Sequence, residues 1–104
     1  MAIFLEETYT AIDHIIQPWA RQCGVQFELE SKGYAVRTFW IAGRVQIWID
    51  SPDEENYVKL HIAERNWLLK SGWGKSIVWR LKIDELPARL DEAIQIGNHW
   101  ISNT

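Results

Sequence analysis

At Gly24 the spacing of apolar residues changes from helical to alternating, and near Asp84 it changes back. Before Gly24, Leu5, Tyr9, Ile12, Ile16, Trp19 and Cys23 recur in steps of four and three, which puts them on one stripe of a helix. Glu6 and Glu7 suit its first turn, where the helix dipole favours anions, and Gly24 suits its end. The spacing predicts a helix from about Ile3 to Gln22. Pro18 has no N–H to offer the carbonyl of His14, so a bend is expected near Gln17.

Beyond Gly24 the period is two. Val25, Phe27 and Leu29 alternate with Gln26, Glu28 and Glu30, the pattern of a half-buried strand. Ser31-Lys32-Gly33 is a turn, followed by a second strand from Tyr34 to Ile41 rich in β-branched and aromatic residues. Ala42-Gly43 reverses the chain into a third strand, Arg44 to Asp50, with Val45, Ile47 and Ile49 on one face. Pro52 bars any continuation through the polar loop 51–56. Tyr57 to Ala63 is a fourth strand, with Val58, Leu60 and Ile62 inward. Ile77, Trp79, Leu81 and Ile83 mark a fifth. Between these two, Trp67 to Lys70 reads as a short extra strand, reversed at Ser71-Gly72-Trp73-Gly74.

The helical period then returns at Leu86, Leu90, Ala93, Ile94, Gly97 and Ile101, with Asp84 as a cap and Pro87 tolerated in the first turn. Short reversals require antiparallel neighbours, since parallel pairing needs long crossovers. The expected architecture is α+β: a two-layer sandwich with an N-terminal helix, an antiparallel meander of five to six strands, and a C-terminal helix. Both helices need an apolar sheet face to cover, so both are expected on the same side. At 104 residues, with no repeat or linker, the chain is read as one domain over 1–104.

Chemistry of the usual kinds finds little footing. No His-x-x-x-His, Cys-x-x-Cys or calcium loop occurs, so neither a metal nor another cofactor is expected. Gly74-Lys75-Ser76 copies the end of a phosphate-binding loop, but the glycine required five positions earlier is Leu69, and strand rather than helix follows. Asp13 and His14 are adjacent on a helix and point apart. His61 has the polar parity of its strand, and His99 sits where a helix favours a cation. Cys23, on the apolar stripe, reads as a small core residue rather than a nucleophile. No catalytic constellation emerges, and a non-enzyme is expected. The start of the chain carries no export signal, no apolar run is long enough for a membrane helix, and one cysteine suits a reducing compartment. A cytoplasmic protein without a membrane partner follows.

What stands out is charge segregation and a surplus of indoles. Residues 1–56 carry nine acids and four bases, whereas Lys59 to Lys82 holds six bases against Glu64 alone. Seven tryptophans exceed the needs of so small a core. Trp19 and Trp79 have core parity. Trp48 has the opposite parity and shares the outer sheet face with Arg44, Gln46 and Asp50. Trp73 lies at an apparent turn, where burial is hard, while Trp40, Trp67 and Trp100 have no clear side. The plainer account is that loops or a second copy of the chain cover these rings, and a homodimer remains open.

Exposed tryptophan beside charge is the composition of an interface hot spot. The leading expectation is a small binding protein of the immunity type, neutralising a basic toxin or enzyme. Trp48 and Trp73 would be anchors, and Asp50, Asp53, Glu54 and Glu55 electrostatic contacts. A second reading uses the other pole: Trp67, Lys70, Trp73 and Lys75 as a basic aromatic hairpin for single-stranded nucleic acid, which the net charge of −3 disfavours. A third is a small-molecule site or enzyme pocket between sheet and helices.

Overall fold

The computed structural model describes residues 9–102. Helix α1 runs from Thr10–Cys23, strands β1 to β5 cover Glu28–Ser31, Tyr34–Ile41, Val45–Ile49, Tyr57–Arg65 and Trp73–Lys82, and helix α2 covers Leu86–Ser102 after a short 3-10 turn. The fold is α+β, with one antiparallel sheet in the order β1-β2-β3-β4-β5.

The expected start of the first helix, Ile3 to Thr8, lies outside the described residues. From Thr10 the helix is uninterrupted through Pro18, which is exposed. On that side water can meet the carbonyl that the proline leaves without a donor. Ile12, Ile16, Trp19 and Ala20 are buried against the sheet, yet Cys23 is exposed. The apolar stripe simply outlasts the sheet beneath it.

Each helix is tied down by a specific contact. Trp19 packs on Phe27 and Phe39 with ring centroids 6.1 and 6.0 Å away, and its indole N–H donates to Asp91 Oδ1 of α2 at 2.8 Å. Gly97 of α2 lies so close to β2 and β3 that a β-carbon there would come within 2.8 Å of Ile41 Cδ1 and 3.2 Å of Val45 Cγ1. Both helices therefore press on one face, over a core that includes Val45, Ile47, Ile49, Val58, Leu60, Ile62, Leu86 and Leu90.

Four strand-level expectations are corrected. β1 spans Glu28–Ser31, not Val25 to Glu30, and its residues are exposed, Leu29 included; a register shift between Glu28 and Glu30 breaks the alternation that pointed Leu29 inward. No strand forms at Trp67 to Lys70. β5 begins at Trp73 instead of Ile77, so Trp73 stands on a strand and not in a turn. Trp79 is only half-buried, at the edge of the layer under the Arg89 guanidinium.

Candidate functional site

With both helices on one face, the other face of the sheet has no layer over it. Cross-strand register fixes what it displays. Thr38 pairs with Trp48, Trp48 with His61, and His61 with Val78. One step along, Trp40 pairs with Gln46, Gln46 with Ala63, and Ala63 with Ser76. Paired residues on neighbouring strands share a face, so three strands bring Trp40, Trp48 and His61 to the uncovered side.

Trp73 joins them through a bulge. Between Ala63↔Ser76 and Arg65↔Trp73 the register shifts, with one extra residue on β5. Counting by twos back from Ile77 would point Trp73 at the helices; the extra residue turns it onto the open face. Gly74 sits within this bulge, and a β-carbon there would lie 2.6 Å from Glu64 Oε1 and 3.3 Å from Asn66 Cβ.

The rings form one cluster. Trp40 and Trp73 stack with centroids 6.3 Å apart and planes 18° from parallel, and Trp48 meets Trp73 at 6.3 Å. Trp48 also stacks on His61 at 4.5 Å and 5°, while His61 Nε2 lies 2.8 Å from Asp50 Oδ2. The Arg65 guanidinium is held over Trp67, Trp73 and Trp40 at 4.2, 4.8 and 5.6 Å from their centroids, within cation–π range. Under the rings, Thr38 donates to Ile47 O at 3.0 Å and accepts from Gln46 Nε2 at 3.0 Å. A cavity of about 520 Å³ is walled by Thr38, Trp40, Gln46, Trp48, Asp50 and Trp73, and reaches Tyr9 and Arg37.

Tyr9 and Arg37 close the inner end of that cavity. Tyr9 Oη donates to Ile49 O at 3.1 Å. Burial and the Asp50 carboxylate raise its phenol above the ordinary value, against the pull of Arg37. Arg37 is 3% exposed and pairs bidentately with Asp13 at 2.7 and 2.8 Å.

The expected contact residues separate into groups. Trp48, Asp50 and Trp73 meet at the cavity. Asp53, Glu54 and Glu55 lie in the loop beyond Asp50, where Arg80 engages Asp53 at 3.0 Å and Glu55 at 3.5 Å. The Tyr57 N–H, together with the Arg80 guanidinium, holds the Asp53 carboxyl below its usual range despite some desolvation. The acidic loop is thus partly neutralised from within. Trp67 and Trp73 do converge, but on Arg65, and Lys70 and Lys75 are exposed without joining the stack.

Sequence reasoning missed Arg65, His61 and Trp40 as members of the cluster. Once Phe39 is taken as inward, parity along β2 turns Trp40 outward, so that much was available. Arg65 was not, because its role depends on the bulge opposite. Cys23, expected in the core, lies at the surface, and desolvation with the nearby Asp91 carboxylate raises its thiol above the ordinary value. That suppresses the thiolate a nucleophile needs. Among the described residues no group of three or more His, Cys, Asp or Glu is placed to hold a metal ion. Compared with protein-family models, curated proteins and solved structures, the chain has no match.

Proposed function

We propose that the chain is a binding protein whose working surface is the helix-free face of its sheet, and that its partner is a basic protein it caps or neutralises. The observation that carries this reading is the continuous array Trp48–Trp73–Trp40–Arg65–Trp67 on a face with no layer over it. Tryptophan and arginine are the residue types most enriched at interface hot spots. Held against one another, these side chains have already lost the rotamer freedom that binding would otherwise cost. Glu28 and Asp50 border the same cavity, and carboxylates at the rim favour a basic partner and speed its capture.

The test begins with recovery of the partner by affinity capture and its titration against variants. Trp48→Ala and Trp73→Ala are expected to weaken binding by about thirtyfold, the scale of a hot spot. Gln95→Ala, on the exposed side of α2, should leave it unchanged. Trp67→Ala removes a largely exposed ring and keeps the test informative if a stacked indole proves necessary for folding. Equal affinity across all three tryptophan variants would contradict the proposal. A salt-sensitive gel shift with short oligonucleotides, abolished by Lys70→Glu and Lys75→Glu, would replace it with the nucleic-acid reading.

A further inference from the structure

The loop between β4 and β5 presents side chains that the sheet does not use. Its ends are closed by Asn66 N–H donating to Gly72 O at 2.9 Å, and its interior by Gly72 N–H to Leu69 O at 2.9 Å and Leu69 N–H to Asn66 O at 3.1 Å. The Asn66 side chain accepts from Leu68 N–H at 3.0 Å. With the backbone bonded inward, the side chains are turned out. Trp67 is 77% exposed, Leu68 95% and Leu69 48%.

The surroundings of this apolar tip are basic. Arg65 lies 4.2 Å from the Trp67 ring, Lys70 follows Leu69 directly, and Arg44 lines the same hollow as Arg65, Trp67 and Leu68, with Glu64 the one acid there. The β2–β3 turn reaches the same end of the sheet, where Arg65 N–H donates to Arg44 O at 2.8 Å. The acidic loop after β3 is at the other end of β4, a nine-residue strand, which is about 30 Å away. That separation exceeds the screening length of physiological salt, about 8 Å. A surface approaching the tip therefore meets its local positive charge and not the acidic pole.

We infer that the loop 66–72 is a docking tip for an anionic lipid surface. Leu68 and Leu69 would enter the acyl boundary, Trp67 would sit at headgroup level, and Arg44, Arg65 and Lys70 would face lipid phosphates. Indole rings favour the membrane interface, and each cation near an anionic leaflet adds attraction. Three adjacent apolar side chains projecting from a hydrogen-bonded loop suit insertion into a deformable medium, whereas a protein partner would have to supply a matching pocket. None of the helices among the described residues is long and apolar enough to cross a membrane, which bears on crossing it and not on lying at its surface. The tip shares Trp67 and Arg65 with the sheet-face array, whereas Leu68, Leu69 and Lys70 lie outside it, so Leu68→Ser separates the two readings.

Sedimentation with phosphatidylcholine vesicles, with and without about one-third phosphatidylserine, tests it directly. The full chain is expected to bind the anionic vesicles reversibly and to release with added salt. Leu68→Ser, at a side chain almost fully in solvent, should lower the partition at least about tenfold with unchanged circular dichroism. Lys70→Glu should weaken binding to the anionic vesicles only. Brominated lipid should quench wild-type fluorescence more than that of Trp67→Phe. No binding, or binding indifferent to Leu68→Ser, would overturn the inference. Self-association abolished by Leu68→Ser, in place of vesicle binding, would overturn it too and assign the tip to a second copy of the chain.

Discussion

Arg37 takes an inward position on β2, between Ala35 and Phe39, where its neighbours are apolar. It is tolerated because, among the described residues, four of its five N–H donors are met by strong acceptors: Asp13 from α1 on two oxygens, and the carbonyls of Leu29 and Val36 at 3.2 and 2.6 Å. The Tyr9 ring covers its remaining face at 4.5 Å. Removing one partner of such a pair strands the other, at a cost of about 3–5 kcal/mol, whereas replacing both by apolar groups costs far less. Asp13→Leu, which strands a guanidinium only 3% exposed, is expected to lower stability by about that amount, and Arg37→Met by less, because the Asp13 carboxylate is 31% exposed and water can reach it. The double variant should be more stable than either single one, measured by urea unfolding. Additive losses would show that the ion pair is not what fixes α1 to β2.

At the scale of the elements, α2 is set by how closely it can approach the sheet. Gly97 is a poor helix former, and alanine there would gain about 1 kcal/mol in propensity. Its methyl would instead meet Ile41, which can rotate, and Val45, which is fully buried and stiff at χ1. Overpacking of that kind costs about 1–3 kcal/mol. Gly97→Ala should therefore lower the melting temperature by several degrees, and a rise would mean that α2 stands further from β3 than described. Much of this layering was legible in the alternation of Val45, Ile47 and Ile49 and of Val58, Leu60 and Ile62, because a half-buried strand must keep period two. The β5 entry was not legible. A single extra residue at a bulge inverts parity, and nothing local to Gly74 and Lys75 announces that Arg65 lies opposite. Leu29 failed for the same reason, at the register shift between Glu28 and Glu30; Cys23 failed for another, because periodicity tells which side a residue takes but not how far the covering layer extends.

For the whole molecule, two helices on one side leave the sheet with a dry face and an aromatic face. Trp19 and Trp100 belong to the first; Trp40, Trp48 and Trp73 belong to the second. The indole N–H signals of the seven tryptophans report individually on whether a partner binds this second face. In a nuclear magnetic resonance titration with the captured basic protein, the signals of Trp40, Trp48 and Trp73 are expected to shift or broaden, while those of Trp19 and Trp100 stay in place. Perturbation confined to the helix layer, with the sheet-face indoles unmoved at saturation, would contradict the account.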